Sequence, residues 1–299
     1  MKPEIAELQA SMEALGYVAD AATATALHLA RAMGRPLLVE GEAGVGKTEL
    51  AKVHARLLDT ELIRLQCYEG LDVSTALYEW DYQRQLLRLR IAEAEGKTGN
   101  EVEELIFSRH YLLERPLLAA ITRPDAAPVL LIDEIDRADE GFEAFLLEVL
   151  SDFQVSIPEL GTIRAEHPPH VLLTSNRTRD VGDALRRRCL YLYLEHPSFE
   201  KEVQILRLRV PEAGERLARA VGGFVEALRR RPLVKTPGVA ESIDWARALL
   251  HLHRDSLDAE IVGQTLGCLL KDHDDLRELG AGDLEHLLAA AETRAEATG

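Results

Sequence analysis

The sequence predicts an α/β fold: a five-stranded parallel sheet covered by helices, followed by a smaller all-helical C-terminal domain. Three observations carry this expectation. Short aliphatic runs at 36–40, 61–66, 128–132, 171–174 and 189–194 are separated by stretches with helical spacing. Strands alternating with helices form parallel sheets buried on both faces. The first run opens into a glycine cluster, and from Ser198 onward only helical patterns occur, broken at Pro211, Pro232, Pro237 and Gly280. The expected boundary lies near His196-Pro197, giving domains 1–197 and 198–299.

Residues 1–33 read as two helices, the second over Ala21–Met33 with apolar positions at helical intervals. Pro36-Leu37-Leu38-Val39-Glu40 is a short apolar run of the kind that forms a buried parallel strand. A helix over Thr48–Leu58 and a strand over 61–66 follow. Leu77–Glu95 reads as one long helix carrying Arg84, Arg88 and Arg90, running into the polar linker Gly96-Lys97-Thr98-Gly99-Asn100. Those arginines read as a helix face pairing with acids, the other reading being a face turned to a pore. A third strand follows a Pro-Asp-Ala-Ala-Pro turn, and a helix covers Glu140–Ser151. Residues 154–157 and 162–165 alternate about a turn and predict a β-hairpin.

Composition narrows the class. A hydrophobic fraction of 46% with 29% charged residues supplies a large core and argues against disorder. No apolar run approaches the ~20 residues that cross a bilayer. The acidic N-terminus has no basic segment followed by an apolar one, so a signal peptide is not expected. A soluble cytoplasmic protein is the expectation. The net charge of −16 works against nonspecific nucleic-acid binding, which needs basic surface to release phosphate counterions; a local basic stripe is not excluded. Cys67, Cys189 and Cys268 have neither zinc nor disulfide spacing and read as reduced thiols.

Gly41-Glu42-Ala43-Gly44-Val45-Gly46-Lys47-Thr48 fits the phosphate-loop pattern G-x-x-x-x-G-K-[ST], between a predicted strand and a predicted helix. Glycines let backbone N–H groups curl around a phosphate, and the helix N-terminus adds its positive end. Lys47 can reach the β- and γ-phosphates of a nucleotide, and the Thr48 hydroxyl can sit on Mg²⁺. A chance match is roughly one in a hundred at ordinary glycine usage.

Leu130-Leu131-Ile132-Asp133-Glu134 delivers a carboxylate at the C-terminal end of an aliphatic strand. Asp133 is placed to hold Mg²⁺ and Glu134 to act as general base on a water. The 171–174 strand leads into Asn176. If it lies between the other two strands, Asn176 falls beside the γ-phosphate and helps orient the water. Arg186-Arg187-Arg188 is expected to open the fifth strand. It reads either as partners for carboxylates or as a finger reaching the nucleotide of a neighbouring subunit.

These pieces in this order resemble the AAA+ ATPases, and in detail the MoxR branch. Leu37 through Ala51, Glu49 included, is similar to that branch's phosphate loop (Walker A), and Leu131 through Ala138 to its Walker B. Leu147 through Ile157 is similar to the helix and hairpin before its sensor 1. Gln66 through Asp72, Tyr78 through Tyr82 and Leu185 through Leu190 look most like the subgroup of the carbon monoxide dehydrogenase accessory ATPase, CoxD. The resemblance implies a homo-oligomeric, hexameric ring with ATP and Mg²⁺ at subunit interfaces. It matches Lys47 and Thr48 to Walker A, Asp133 and Glu134 to Walker B, and Asn176 to sensor 1. It matches Arg188 to the finger, with Arg187 as runner-up, and the segment Gly16-Tyr17-Val18 to the lining of the adenine. It also implies a hairpin inserted at about Gly70–Tyr82. A partner with a von Willebrand factor A (VWA) domain is implied, with which such ATPases remodel or insert metal into client enzymes such as a molybdenum hydroxylase. The alternatives are a chelatase-type ATPase subunit and a nucleic-acid motor or loader. A membrane role is not implied.

One segment departs from the family. A sensor 2 arginine in a Ser-Pro-Arg-like stretch is usual, whereas Pro237 through Arg247 puts Glu241 or Ser242 at the expected place. Arg247, about one and a half turns on, reads as a surface residue. His251/His253 face apart on a helix, Asp272–Asp275 reads as a solvated helix start, and His167–His170 reads as a strand lead-in; none is expected to bind metal.

Overall fold

The computed structural model describes residues 3–96 and 99–296. In chain order it contains α1 (Pro3–Ala14), α2 (Ala21–Met33), β1 (Leu37–Gly41), α3 (Lys47–Leu57), β2 (Leu62–Gln66), α4 (Val73–Ala76), β3 (Tyr78–Trp80), α5 (Tyr82–Ala94) and α6 (Asn100–Ile106). Then come β4 (Leu112–Glu114), α7 (Pro116–Ile121), β5 (Val129–Asp133), α8 (Glu140–Asp152), β6 (Gln154–Ile157), β7 (Gly161–Arg164), β8 (His170–Ser175), α9 (Asp183–Arg188) and β9 (Leu190–Leu194). The helical part follows as α10 (Phe199–Arg209), α11 (Gly214–Arg229), α12 (Val239–His251), α13 (Ala259–Thr265), α14 (His273–Glu278) and α15 (Ala281–Glu296).

The main sheet has the order β2-β5-β8-β1-β9. Its β2–β5, β5–β8 and β8–β1 pairings are parallel, with Gln66 opposite Asp133 and Glu40 opposite Ser175. Every residue of β1 and β5 is buried, as strands covered on both faces require. The expected five-stranded sheet and the hairpin β6–β7 are present.

The chain forms two compact units. One comprises residues 22–40 and 50–192; its core gathers Leu38, Leu65, Leu118, Leu130, Phe142 and Leu173 among others. The other joins α1, the segment Gly41–Glu49 and the chain from Tyr193 onward. Its core is helical, built on Phe199, Leu206, Phe224, Trp245 and Leu249. The Trp245 indole donates to Thr265 Oγ1 at 2.8 Å, which satisfies its one polar atom in the apolar interior.

Three expectations are corrected. The long helix over Leu77–Glu95 is a strand and a shorter helix: β3 pairs antiparallel with β4, buries Trp80, and ends where Asp81 caps α5 by accepting from Arg84 N at 3.0 Å. The implied hairpin at Gly70–Tyr82 is therefore not local. The partner of β3 begins 32 residues after β3 ends, at Leu112, and the segment between them carries α5 and α6. Lys97 and Thr98 of the predicted linker lie outside the described residues. The third correction concerns Arg186–Arg188, which form the last turn of α9 rather than the start of β9.

Candidate functional site

The loop after β1 is held by close main-chain approach. A side chain on Gly41 would put its Cβ 2.3 Å from the Leu194 carbonyl oxygen, so no other residue fits there. Gly44 has φ +78°, a conformation that favours glycine. Lys47 is buried, and its Nζ donates to the carbonyls of Gly41 (2.8 Å) and Glu42 (2.7 Å), drawing the ammonium inside its own loop. The Tyr17 ring reaches the same loop: Cε2 would lie 3.7 Å from a Cβ at Gly46. Burial, then Asp20 and Glu49, push the Tyr17 phenol well above its ordinary range. Glu49, the last residue of the expected phosphate site, accepts from Arg209 of α10 at 3.1 Å. Glu42 pairs with His196 at 2.9 Å. Ala43, Val45, Thr48 and Val18 complete the segments expected at the nucleotide, and Thr48 is the second residue of α3.

The other unit carries the acidic ends of the strands. Asp133 is 2% exposed at the C-terminal end of β5. It accepts from Thr174 Oγ1 and from Arg64 Nε at 2.9 Å. Thr174 in turn accepts from the Glu134 N–H at 2.9 Å, so one hydroxyl links both acids. Glu134 is left-handed at φ +57°, which costs of order 1 kcal/mol in a residue other than glycine. Its carboxylate meets Arg137 at 3.0 Å.

The sheet order places β8 between β5 and β1, the condition under which Asn176 was expected to matter. Asn176 is held through its backbone. Asp136, buried and given no role by the sequence although it lies within the Walker B-like segment, accepts from Asn176 N (3.2 Å), Thr178 N (2.9 Å) and Thr178 Oγ1 (2.7 Å). Buried Glu143 likewise holds the following turn through Gly182 N at 2.8 Å and the Arg179 guanidinium.

The three arginines of α9 are not equivalent. Arg186 donates to Glu40 Oε1 at 2.8 Å, and Glu40 is 1% exposed and also accepts from Tyr191 at 2.9 Å. Arg186 therefore balances a buried carboxylate. Arg188 Nη1 donates to the Leu147 carbonyl at 2.8 Å. The Arg187 side chain is exposed and makes no hydrogen bond or ion pair among the described residues. Arg35 caps this helix end by donating to the Arg187 and Arg188 carbonyls at 2.7 and 3.1 Å.

A family model for the AAA domain, dynein-related subfamily, matches residues 36–189, more than half of the chain. The chain belongs to this family. Its AAA domain lies on the five-stranded sheet, and a helical region follows it. Two curated relatives are the Holliday junction branch migration complex subunits RuvB of Wolbachia sp. subsp. Drosophila simulans (strain wRi) and of Wolbachia pipientis wMel. Each is 35% identical over 98 residues, a match covering 30% of this chain and 30% of the relative. Among solved structures, the Thermotoga maritima RuvB Holliday junction branch migration motor is 19% identical with a TM-score of 0.46, covering 90% of this chain and 71% of that one. A point mutant of the same protein gives 18% and 0.48, covering 92% and 75%.

In this AAA+ protein the helical region meets the phosphate loop at Gly238, with Glu241 Oε2 beside it at 3.4 Å from a Cβ placed on Gly44. Val239 N–H donates to the Gly44 carbonyl at 2.9 Å. Glu241 Oε2 accepts from Gly238 N at 3.0 Å, capping α12, and Ser242 is buried and donates back to the Gly238 carbonyl. Arg247 is exposed and lies near Asp244 at 3.7 Å. Asp272 caps α14 as expected, but Asp275 is buried and accepts from Val234 N and Lys235 N, a loop anchor rather than a solvated acid. Arg84 and Arg88 do lie near acids, Asp81 at 3.9 Å and Glu95 at 3.6 Å. Cys67 and Cys189 are buried, and burial pushes both thiols up to about 12, which makes them poor nucleophiles at neutral pH. No helix among the described residues is long and apolar enough to cross a membrane. No group of three or more His, Cys, Asp or Glu side chains among them could hold a metal ion.

Proposed function

We propose that the chain hydrolyses ATP in a homo-hexameric ring and uses the energy to remodel a protein client. Lys47 and the N–H groups of residues 44–48 would hold the phosphates, and the Tyr17-Val18 segment would line the adenine. Mg²⁺ fits the residues available: Asp133 is an acceptor-only carboxylate and Thr48 a hydroxyl, hard oxygen donors that suit it when phosphates complete the shell. The ion would neutralise charge on the phosphates. Glu134 would take the proton of the attacking water and Asn176 would orient that water. Arg188, with Arg187 as alternative, would reach the neighbouring subunit's nucleotide; Arg186 is set aside by its bond to Glu40.

One observation carries the protein-client reading. Helix α5, in the segment between β3 and β4, leaves Tyr82, Leu86 and Leu87 each 61% exposed. Adjacent exposed apolar side chains of this size mark an interaction surface. Together with the motif resemblance, this supports a VWA-domain protein and a metalloenzyme, such as a molybdenum hydroxylase, as partners. The partial likeness to RuvB subunits favours a second reading, a DNA motor, against which the −16 charge weighs. A chelatase-type subunit is separated by which proteins co-purify. The test is to co-express the Glu134→Gln variant, loaded with ATP, with a VWA-domain protein and its metalloenzyme. Retention of both supports the remodelling reading. Retention of neither, with turnover of the unaltered chain stimulated by DNA, favours the motor.

A further inference from the structure

Beyond every motif in the chain, the helical region contains a deeply buried ion pair. Arg229, the last residue of α11, forks onto Glu202 of α10: Nη2 donates to Oε1 at 3.0 Å and Nη1 to Oε2. The two side chains are 8% and 2% exposed. Burying such a pair is costly, and an apolar pair of similar volume often does as well or better for stability. Stability alone is thus a weak reason for its presence. The third donor of the same guanidinium suggests another: Arg229 Nε donates to the Pro237 carbonyl at 2.8 Å.

Pro237 precedes the residue that touches the phosphate loop. A Cβ on Gly238 would lie 2.6 Å from Gly44 Cα, and one on Gly44 would lie 2.8 Å from Gly238 Cα, so the two backbones are in direct contact. The next residue, Val239, holds the Gly44 carbonyl. In a trans peptide that carbonyl and the Val45 N–H point opposite ways, so fixing one fixes the other. We propose that the Arg229–Glu202 pair is a positioning device for the phosphate loop: by holding the Pro237 carbonyl it seats Gly238 on Gly44 and sets the direction of the Val45 N–H. The helical region then acts on the phosphates through main chain and glycine contact, with no cation from Gly238, Glu241 or Ser242. This rests on the reading of Gly41–Thr48 as the ATP phosphate site.

Two variants test it, each read by ATP affinity and by thermal midpoint. Glu202→Met with Arg229→Met removes both charges and keeps volume, so the fold is retained while the Pro237 carbonyl loses its donor. Gly238→Ala leaves the buried pair intact and pushes the two loops apart. Both should raise the Kd for ATP about tenfold or more, with midpoints within a few degrees of the unaltered chain. A purely structural pair would move the midpoint and leave the affinity of the refolded double variant unchanged. If the double variant does not fold, Gly238→Ala decides alone. Affinity equal to the unaltered chain in a folded variant overturns the proposal. Failure of the unaltered chain itself to bind ATP overturns instead the phosphate-site reading beneath it.

Discussion

The Gly41–Thr48 loop and the acidic strand ends are built by opposite means. The loop is built from backbone: glycines at 41 and 44 packed against other main chain, and a lysine folded back on its own carbonyls. The strand ends are built from side chains, with Glu40, Asp133, Asp136 and Glu143 all buried and each accepting from donors elsewhere in the chain. A backbone site needs particular residue types at fixed spacing. A side-chain site needs only that a carboxylate somewhere meet a donor somewhere else. The first leaves a motif, and the second leaves scattered acids that look like surface.

The sharpest way to break the comparison is at the loop. Lys47→Ala removes the ammonium that the loop holds in place, and ATP binding should be lost. Affinity within a few-fold of the unaltered chain, by calorimetry or fluorescence titration, would mean the cradle works without its cation and the assignment fails.

Next in size is the strand-end chemistry. Glu134→Gln keeps shape but removes the carboxylate proposed as base, so it should bind ATP and hydrolyse it very slowly. Arg188→Ala should lose turnover by on the order of 10³-fold if it is a finger acting on the next subunit. Mixing the two under verified subunit exchange should then restore activity, because some interfaces combine an intact Glu134 with an intact Arg188. Activity that stays at the sum of the separate proteins, with Arg187→Ala complementing instead, transfers the role to Arg187, whose side chain is exposed in this structure.

This contrast also explains what could be read in advance. The sheet, the hairpin β6–β7 and the strand–loop–helix that carries Gly41–Thr48 were legible because each is a local pattern of aliphatic runs and turn residues. The segment between β3 and β4 was not. Its pairing joins Tyr78–Trp80 to Leu112–Glu114, and nothing near Tyr78 says where the partner lies. Asp136 and Thr174 were visible as letters but not as roles, since their partners sit some forty residues away. The arginine run was placed one element late: all three arginines tolerate the last turn of a helix as well as a strand start, and favour the helix's negative end.

Asp136→Ala probes that hidden layer. It strips two backbone N–H groups and a hydroxyl of their acceptor in a partly buried loop. Each such loss costs about 1–3 kcal/mol when water cannot fully replace the acceptor. A net destabilisation of about 2–4 kcal/mol is expected by urea denaturation, with turnover falling more than ATP affinity because Asn176 loses its seat. A stability loss under about 0.5 kcal/mol with normal turnover would show that the loop holds itself.

The smallest effect is expected on the helical side, at Arg247. Gly238 is where α12 meets the phosphate loop, and Arg247 is nine residues further along. At 1.5 Å per residue that is about 13 Å of helix rise, roughly twice what an arginine side chain spans. The buried face of α12 carries Ser242, Trp245, Ala246 and Leu249, and Arg247 projects from the other side with 51% of its side chain exposed. Its neighbour Asp244, at 3.7 Å, forms an i,i+3 surface pair worth a few tenths of a kcal/mol at most. Arg247→Ala should therefore leave ATP affinity and turnover within about twofold. A fall of tenfold or more, with the thermal midpoint unchanged, would mean that α12 rotates or shifts by about a turn when ATP binds. The glycine contact at Gly238 would then describe the nucleotide-free arrangement alone.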